Sequence, residues 1–236
     1  MAQCLLIDRP ARLTYLGLAL VGLACRSAPG SVVPASAEPV SRDQVAKWVE
    51  ITRPAEQRLH RFKWLFRDDK SSAGGRGSAR IAPPDSMRFD VAGPFGSGAG
   101  SAAVVGDRPL WAEPPDAIEK MVPSYPLMWG MFGIARMPDS SADFRGISDG
   151  PITAWRYVEA GDTIEYVRTE GRPTRMLTVV RRGGELVGRA EATLDSTGAP
   201  LDAKLTVPSV PARLDLTFLS TARAEFAPDI WISRKP

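Results

Sequence analysis

The 236-residue chain contains two cysteines and one histidine, and these two scarcities exclude more chemistry than any other feature of its composition. A nucleophile of the Ser-His-Asp or Cys-His kind needs an imidazole beside it, and His60 is the only imidazole in the chain. It falls at the start of a strand-like run, where a surface or packing role is the ordinary reading. Zinc held by histidine and cysteine is excluded by the number of ligands. Charge of one sign is also lacking: 30 Lys and Arg stand against 27 Asp and Glu, a net of +3, and the basic residues are scattered among acidic ones. No nucleic-acid footprint results, although a weak attraction to an anionic membrane surface stays open. The glycine-rich stretch Gly93 to Gly100 is followed by strand-like residues rather than a helix, so it lacks phosphate-binding spacing.

What is present begins at the N-terminus. Arg9 and Arg12 precede the apolar run Leu13 to Ala24. At about a dozen residues, that run suits a signal-peptide core and falls short of the roughly 18 a spanning helix needs. Residues 1–24 are therefore expected to be a lipoprotein signal peptide. Val21-Gly22-Leu23-Ala24-Cys25 looks like a lipobox, in which the thiol of Cys25 receives a diacylglycerol before cleavage. Ordinary secretory cleavage, or an uncleaved start with a buried free cysteine, is the other reading of these residues. Two acyl chains on Cys25 would anchor the protein firmly where one would not. With Cys4 removed and Cys25 blocked, no cysteine is left for a disulfide, and stability must come from the core. Residues 25–40 read as the lipidated cysteine and a flexible tether, because Ser27 to Pro39 is rich in Pro, Ala and Ser. Residues 41–236 then form a single domain, long enough for a sizeable core.

Within that domain Ser41-Arg42-Asp43-Gln44 has capping-box spacing, and the apolar residues that follow predict a helix from about Arg42 to Thr52. Strand-like runs follow at Leu59 to Arg67, Ser78 to Ala82, Met87 to Ala92 and Ala102 to Val105, broken at Gly74-Gly75, Pro83-Pro84-Asp85 and Gly93 to Gly98. Asp116 to Met121 and Pro126 to Ala135 look like two short helices, the second apolar nearly all round. Asp139 to Gly150 reads as a polar loop. Thr174 to Arg181 and Glu185 to Leu194 flank Arg182-Gly183-Gly184 as a hairpin, and Leu214, Leu216 and Phe218 alternate with polar residues. The fold class is α+β: an open, strongly curved antiparallel β-sheet, an incomplete β-barrel, whose concave apolar face is covered by helices.

Two stretches resemble the LolA/LolB-like carriers of lipoprotein acyl chains. One is Arg80-Ile-Ala-Pro-Pro-Asp-Ser-Met-Arg-Phe-Asp-Val-Ala-Gly-Pro-Phe-Gly, two strands joined by a Pro-Asp turn and ending in a Pro-apolar-Gly loop. The other is Pro126-Leu-Met-Trp-Gly-Met-Phe-Gly-Ile-Ala-Arg-Met-Pro, and order and spacing agree over about Val45 to Ile232. The resemblance implies an apolar cavity under a helical lid, a membrane-contacting loop at Phe95, and outer-membrane sorting, since Arg26 rather than an aspartate follows Cys25. It implies as partners the acyl chains of lipoprotein or lipid, the outer-membrane bilayer and a periplasmic carrier protein. The glycine-rich stretches and the long tether depart from the best-known members, so a more general lipid-binding lipoprotein of this fold fits equally well.

The expected acyl-chain cavity is lined by Trp64, Phe66, Phe89, Leu127, Met128, Met131 and Phe132, where methionine suits irregular, flexible ligands. The same residues have a plainer reading as core. Phe95, between Gly93-Pro94 and Gly96, reads as a protruding tip or as an ordinary turn residue. The expected activity is non-enzymatic, with no catalytic residue, no metal and no cofactor beyond the covalent lipid on Cys25. The chain is expected to be a periplasm-facing, lipid-anchored monomer at the outer membrane that binds no nucleic acid. The alternatives are a structural or interaction lipoprotein with a filled core, and a carboxylate-dependent hydrolase using pairs such as Asp68-Asp69, Glu113-Asp116 or Asp139-Asp143.

Overall fold

Ser41 begins the first helix as its sequence requires: its hydroxyl accepts from the backbone N–H of Gln44 at 3.2 Å. The helix α1 (Arg42–Glu50) buries Val45, Trp48 and Val49. The computed structural model describes residues 31–34, 36–94, 98–115, 122–138 and 141–233. Cys25, Phe95 and the expected helix Asp116 to Met121 lie outside the described residues, as does Asp139.

The rest is almost entirely strand. A first run of hairpins comprises β2 (Arg58–Arg67), β3 (Ser72–Ala82), β4 (Ser86–Ala92), β5 (Gly100–Val105) and β6 (Arg108–Glu113), following the two-residue β1 (Pro39–Val40). A second comprises β7 (Phe144–Asp149), β8 (Ile152–Glu159), β9 (Asp162–Thr169), β10 (Thr174–Arg182), β11 (Glu185–Leu194), β12 (Pro200–Val207) and β13 (Ala212–Arg223). Pairing of β13 with β2 joins the two runs into one 13-stranded antiparallel sheet, β1-β7-β8-β9-β10-β11-β12-β13-β2-β3-β4-β5-β6. The ends of that order, β1 and β6, do not pair, so the sheet is unclosed.

Its curvature follows from one side chain and its backbone. Arg136 contacts Tyr157 and Tyr166 on β8 and β9 and also reaches Asp107, in the turn between β5 and β6. Those strands are about nine places apart in the sheet, which at the spacing of neighbouring strands is roughly 40 Å on a flat surface. No single residue spans that distance, so the sheet is rolled into a half-barrel. Its concave face holds one apolar cluster, and the second helix, α2 (Tyr125–Gly130), lies inside with all of Pro126 to Gly130 buried. The open, curved antiparallel sheet with helices on its concave face is the fold that the sequence predicts. No helix among the described residues is long and apolar enough to cross a membrane.

Two local expectations are corrected, and one strand is added that the sequence reading did not name. Gly74-Gly75 is not a break: both lie inside β3, paired with Leu65 and Trp64, because a partner strand overrides the poor strand propensity of glycine. The polar stretch read as a loop from Asp139 to Gly150 becomes strand β7 from Phe144, which buries Phe144 and Gly146 while Arg145, Ile147 and Ser148 face solvent. β6 carries Pro109 and ends the sheet, a place where proline is tolerated because the outer ladder is unpaired.

Candidate functional site: the inner face of the half-barrel

The residues expected to line a cavity are brought together. Trp64, Phe89, Leu127, Met128, Met131 and Phe132 belong to one buried cluster, and Phe66 packs against it. Alternation on β2 sends Phe62, Trp64 and Phe66 to the concave face. There Phe62 stacks on Phe89 at 5.4 Å, and Phe132 meets Phe62, Phe89 and Phe218 edge-on at 6.3, 6.4 and 5.5 Å. Leu127 and Met131 have no exposed surface at all, so in this structure these side chains pack on one another.

The segment from Pro123 to Pro138 thus fills the half-barrel as an inner plug. Two glycines let it sit directly on the sheet. A Cβ on Gly130 would stand 2.3 Å from Thr178 Oγ1 on β10, and one on Gly188 of β11 would stand 2.6 Å from Leu127 Cδ1. Either contact is closer than real atoms approach.

Polar bonds hold the plug at its C-terminal end and at Trp129. The backbone N–H of Ala135 donates to Thr52 Oγ1 at 2.9 Å, and that of Arg136 to the Tyr166 hydroxyl at 3.2 Å. Tyr157 donates to the Arg136 carbonyl at 3.3 Å, and Arg42 to that of Pro138 at 2.9 Å. Burial raises the pKa of Tyr157 and Tyr166, so both phenols stay protonated and able to donate. The Arg136 guanidinium is 5% exposed, lies 5.3 Å over the Trp129 ring, and faces Asp107 at 3.7 Å and Asp85 at 4.0 Å. Further in, Trp129 Nε1 donates to the Gly106 carbonyl at 2.9 Å. Met131 and Phe132, between these anchors, and Met128, just before Trp129, belong to the apolar cluster.

On the convex face a second segment is attached differently. Within the stretch read as a tether, Ser31 to Pro34 and Ser36 to Val40 are docked: Val33 is fully buried with Ala37 against Ala154. Ser31 and the Val33 N–H both donate to Glu165 Oε1, the latter at 3.3 Å, and Arg181 Nε stands 3.6 Å from Glu165 Oε2. The Gly146 N–H donates to the Glu38 carbonyl at 3.1 Å and Arg145 to that of Ala37 at 3.0 Å, leading into β1 beside β7.

Sequence reasoning missed Arg136, Tyr157, Tyr166, Thr52 and Glu165. The first four act through a backbone or a ring that only the rolled sheet brings close, while Glu165 gave a signal, a charge flanked by Ile164, Tyr166 and Val167. Of the acid pairs, Asp68 is spent on its own turn, accepting from the N–H groups of Lys70 and Ser71, which lower its pKa. Glu113 accepts from the Ser233 hydroxyl. Among the described residues no three His, Cys, Asp or Glu side chains gather as a metal site.

No family model matches the chain, and no curated protein matches it by sequence. Similar solved structures include a LolA superfamily protein from Nitrosomonas europaea, at 9% identity over 82% of this chain and 98% of that one, TM-score 0.39. A structure described as an outer membrane lipoprotein-sorting protein domain, from Vibrio parahaemolyticus, matches at 11% identity over 80% of this chain and 95% of that one, TM-score 0.39. A chain of the Pseudomonas aeruginosa MucA/MucB complex matches at 13% identity over 81% of this chain and 60% of that one, TM-score 0.32. At such identities and TM-scores no residue role is taken from any of them.

Proposed function

We propose that the protein is a non-enzymatic binder of acyl chains, of lipoprotein or of lipid, held at a membrane by lipid on Cys25. The observation that carries this reading is the plug. Met128, Met131 and Phe132 make contacts that a hydrocarbon chain supplies as well, while the polar anchors at Trp129 and at Ala135 to Pro138 hold the segment in place. Burying even half of a chain of about sixteen carbons is worth several kcal/mol at about 0.8 kcal/mol per methylene, which is the scale of the contacts to be replaced. Delivery to the outer membrane, with Phe95 touching the bilayer and a periplasmic carrier supplying the cargo, is the finer form of this proposal.

The test is uptake of a fluorescent fatty acid by the purified protein, with mass spectrometry of what co-purifies. Saturable uptake supports the reading, and its absence together with an empty mass spectrum overturns it. Transfer of the anchor to Cys25 is checked by radiolabelled palmitate, whose incorporation Cys25→Ser should abolish. The complete burial of Leu127 and Met131 favours a second reading, an interaction lipoprotein whose core stays filled. Under that reading the plug never yields, and no fatty acid enters.

A further inference from the structure

A small pocket opens where the chain leaves α1 and enters β2. Its volume is about 60 Å³, roughly that of two water molecules. Arg53, Arg58 and Arg168 are among its walls, and His60, Phe132 and Leu194 are among the side chains beneath them. Three arginines lining so small a space bring like charges together unless anions intervene.

The acids nearby do not fill that role. Arg53 NH1 reaches Glu50 at 3.5 Å, but the Glu50 side chain is 74% exposed. Arg168 pairs through NH1 with the exposed Glu170. Asp195 feels the charge of Arg58, yet its carboxylate is engaged by the N–H groups of Thr197 and Ala199. The Nε atoms of Arg53 and of Arg168 are both buried and have no hydrogen-bond acceptor among the described residues. Buried N–H donors without acceptors are rare in native proteins and mark the place of a water or an ion. Arg53 and Arg168, the two cations that carry these donors, both line one pocket together with Arg58, and three cations about one small space favour an oxyanion that offsets their charge.

Phe132 gives the pocket its second property. It lines the pocket and also touches Phe62, Phe89 and Phe218 on the inner face, so the arginines stand at one end of a continuous apolar surface. We infer that this pocket seats the oxyanion head, carboxylate or phosphate, of an amphiphile whose hydrocarbon runs over Phe132 into the half-barrel. The tail rests on the acyl-chain reading; the head group rests on the pocket alone.

His60 is a built-in reporter. Its Nδ1 is 2.9 Å from the Thr221 hydroxyl, and burial, with the charge of Arg58, lowers its pKa to about 4. An anion seated beside it favours the charged imidazole and raises that value. As the only histidine in the chain, it gives a single ring signal in NMR.

The experiment follows that signal through pH titrations of the full chain with dodecanoate, dodecyl phosphate, inorganic phosphate and neutral dodecanol. The expected result is that the two anionic amphiphiles raise the His60 pKa by about one unit and bind at least about tenfold more tightly than dodecanol. The double variant Arg53→Gln, Arg168→Gln should lose that tenfold preference while still binding dodecanol. If dodecanol binds as tightly as dodecanoate, the head-group site is overturned and the acyl-chain reading stands. If inorganic phosphate binds as tightly as dodecyl phosphate, the pocket takes a free anion and the amphiphile assignment falls. If nothing binds, both readings fall. The comparison of dodecanoate with dodecanol needs no variant, so a poorly folding double variant does not remove the test.

Discussion

Two segments that are not part of the main run of strands lie on opposite faces of the same sheet, and they are held by different forces. The inner plug, Pro123 to Pro138, contributes Leu127, Met128, Met131 and Phe132 to the core, with polar bonds at Trp129 and at its C-terminal end. The outer strap, Ser31 to Val40, buries little but is fixed by a buried carboxylate and by backbone pairing. Apolar contact is non-directional and scales with area, so another apolar molecule can supply it. Hydrogen bonds to a buried charge cannot be exchanged for hydrocarbon without leaving that charge unpaired. The inner segment is therefore the exchangeable one and the outer segment the permanent one.

The largest expected effect comes from placing a charge in the plug. Met131→Asp should abolish cooperative folding, since a buried, unpaired carboxylate costs several kcal/mol; urea denaturation followed by tryptophan fluorescence reads this. Leu127→Ala sharpens the comparison, with an expected loss of about 2–5 kcal/mol. Because the change opens space on the inner face, added dodecanoate should recover more thermal stability in the variant than in the wild type.

On the outer face Glu165→Ala should cost about 3 kcal/mol, because Arg181 and the strap donors lose their shared acceptor. Hydrogen exchange should show lost protection at Val33 and none lost at Met131, with fatty-acid uptake unchanged. An effect on uptake would break the division between the two segments.

His60 gives a pH dependence on the inner side. Its pKa in the folded state, about 4, lies below the ordinary 6.5, so the unfolded chain binds the proton more readily. Stability from this residue is complete above pH 6.5 and falls as the pH drops toward 4. Between pH 7 and pH 5 the loss should be about 2 kcal/mol, read as the difference between wild type and His60→Gln in urea titrations. The smallest effect is that of Thr52→Ala, which removes the hydroxyl accepting from Ala135 and should cost about 1 kcal/mol.

Much of the sheet was legible because strand periodicity is local. β2, β4, β10 and β11 announce themselves by alternation and by the turns at Pro83 to Asp85 and Gly183-Gly184. The seven expected cavity residues also come together, since an all-apolar helix beside an apolar sheet face has nowhere else to go. What stayed hidden depends on distant strands. Gly74-Gly75 reads as a break until β2 is laid beside it. Arg136 has no partner in its own stretch of sequence, and only the rolled sheet sets Asp107, Tyr157 and Tyr166 around it. Proline and alanine in Pro34 to Ala37 suggest a free tether, because composition cannot show that Glu165 waits on the outer face to bind the segment.

Hydrogen exchange of the plug during fatty-acid binding tests the central claim most directly. With saturating dodecanoate, the amides of Met128 to Met131 should exchange at least about tenfold faster than in the free protein, while the amides of Val33, Ser36 to Glu38 and Val40 keep their rates. Binding with the plug amides unchanged, or equal loosening of plug and strap, would contradict the exchange of one apolar occupant for another.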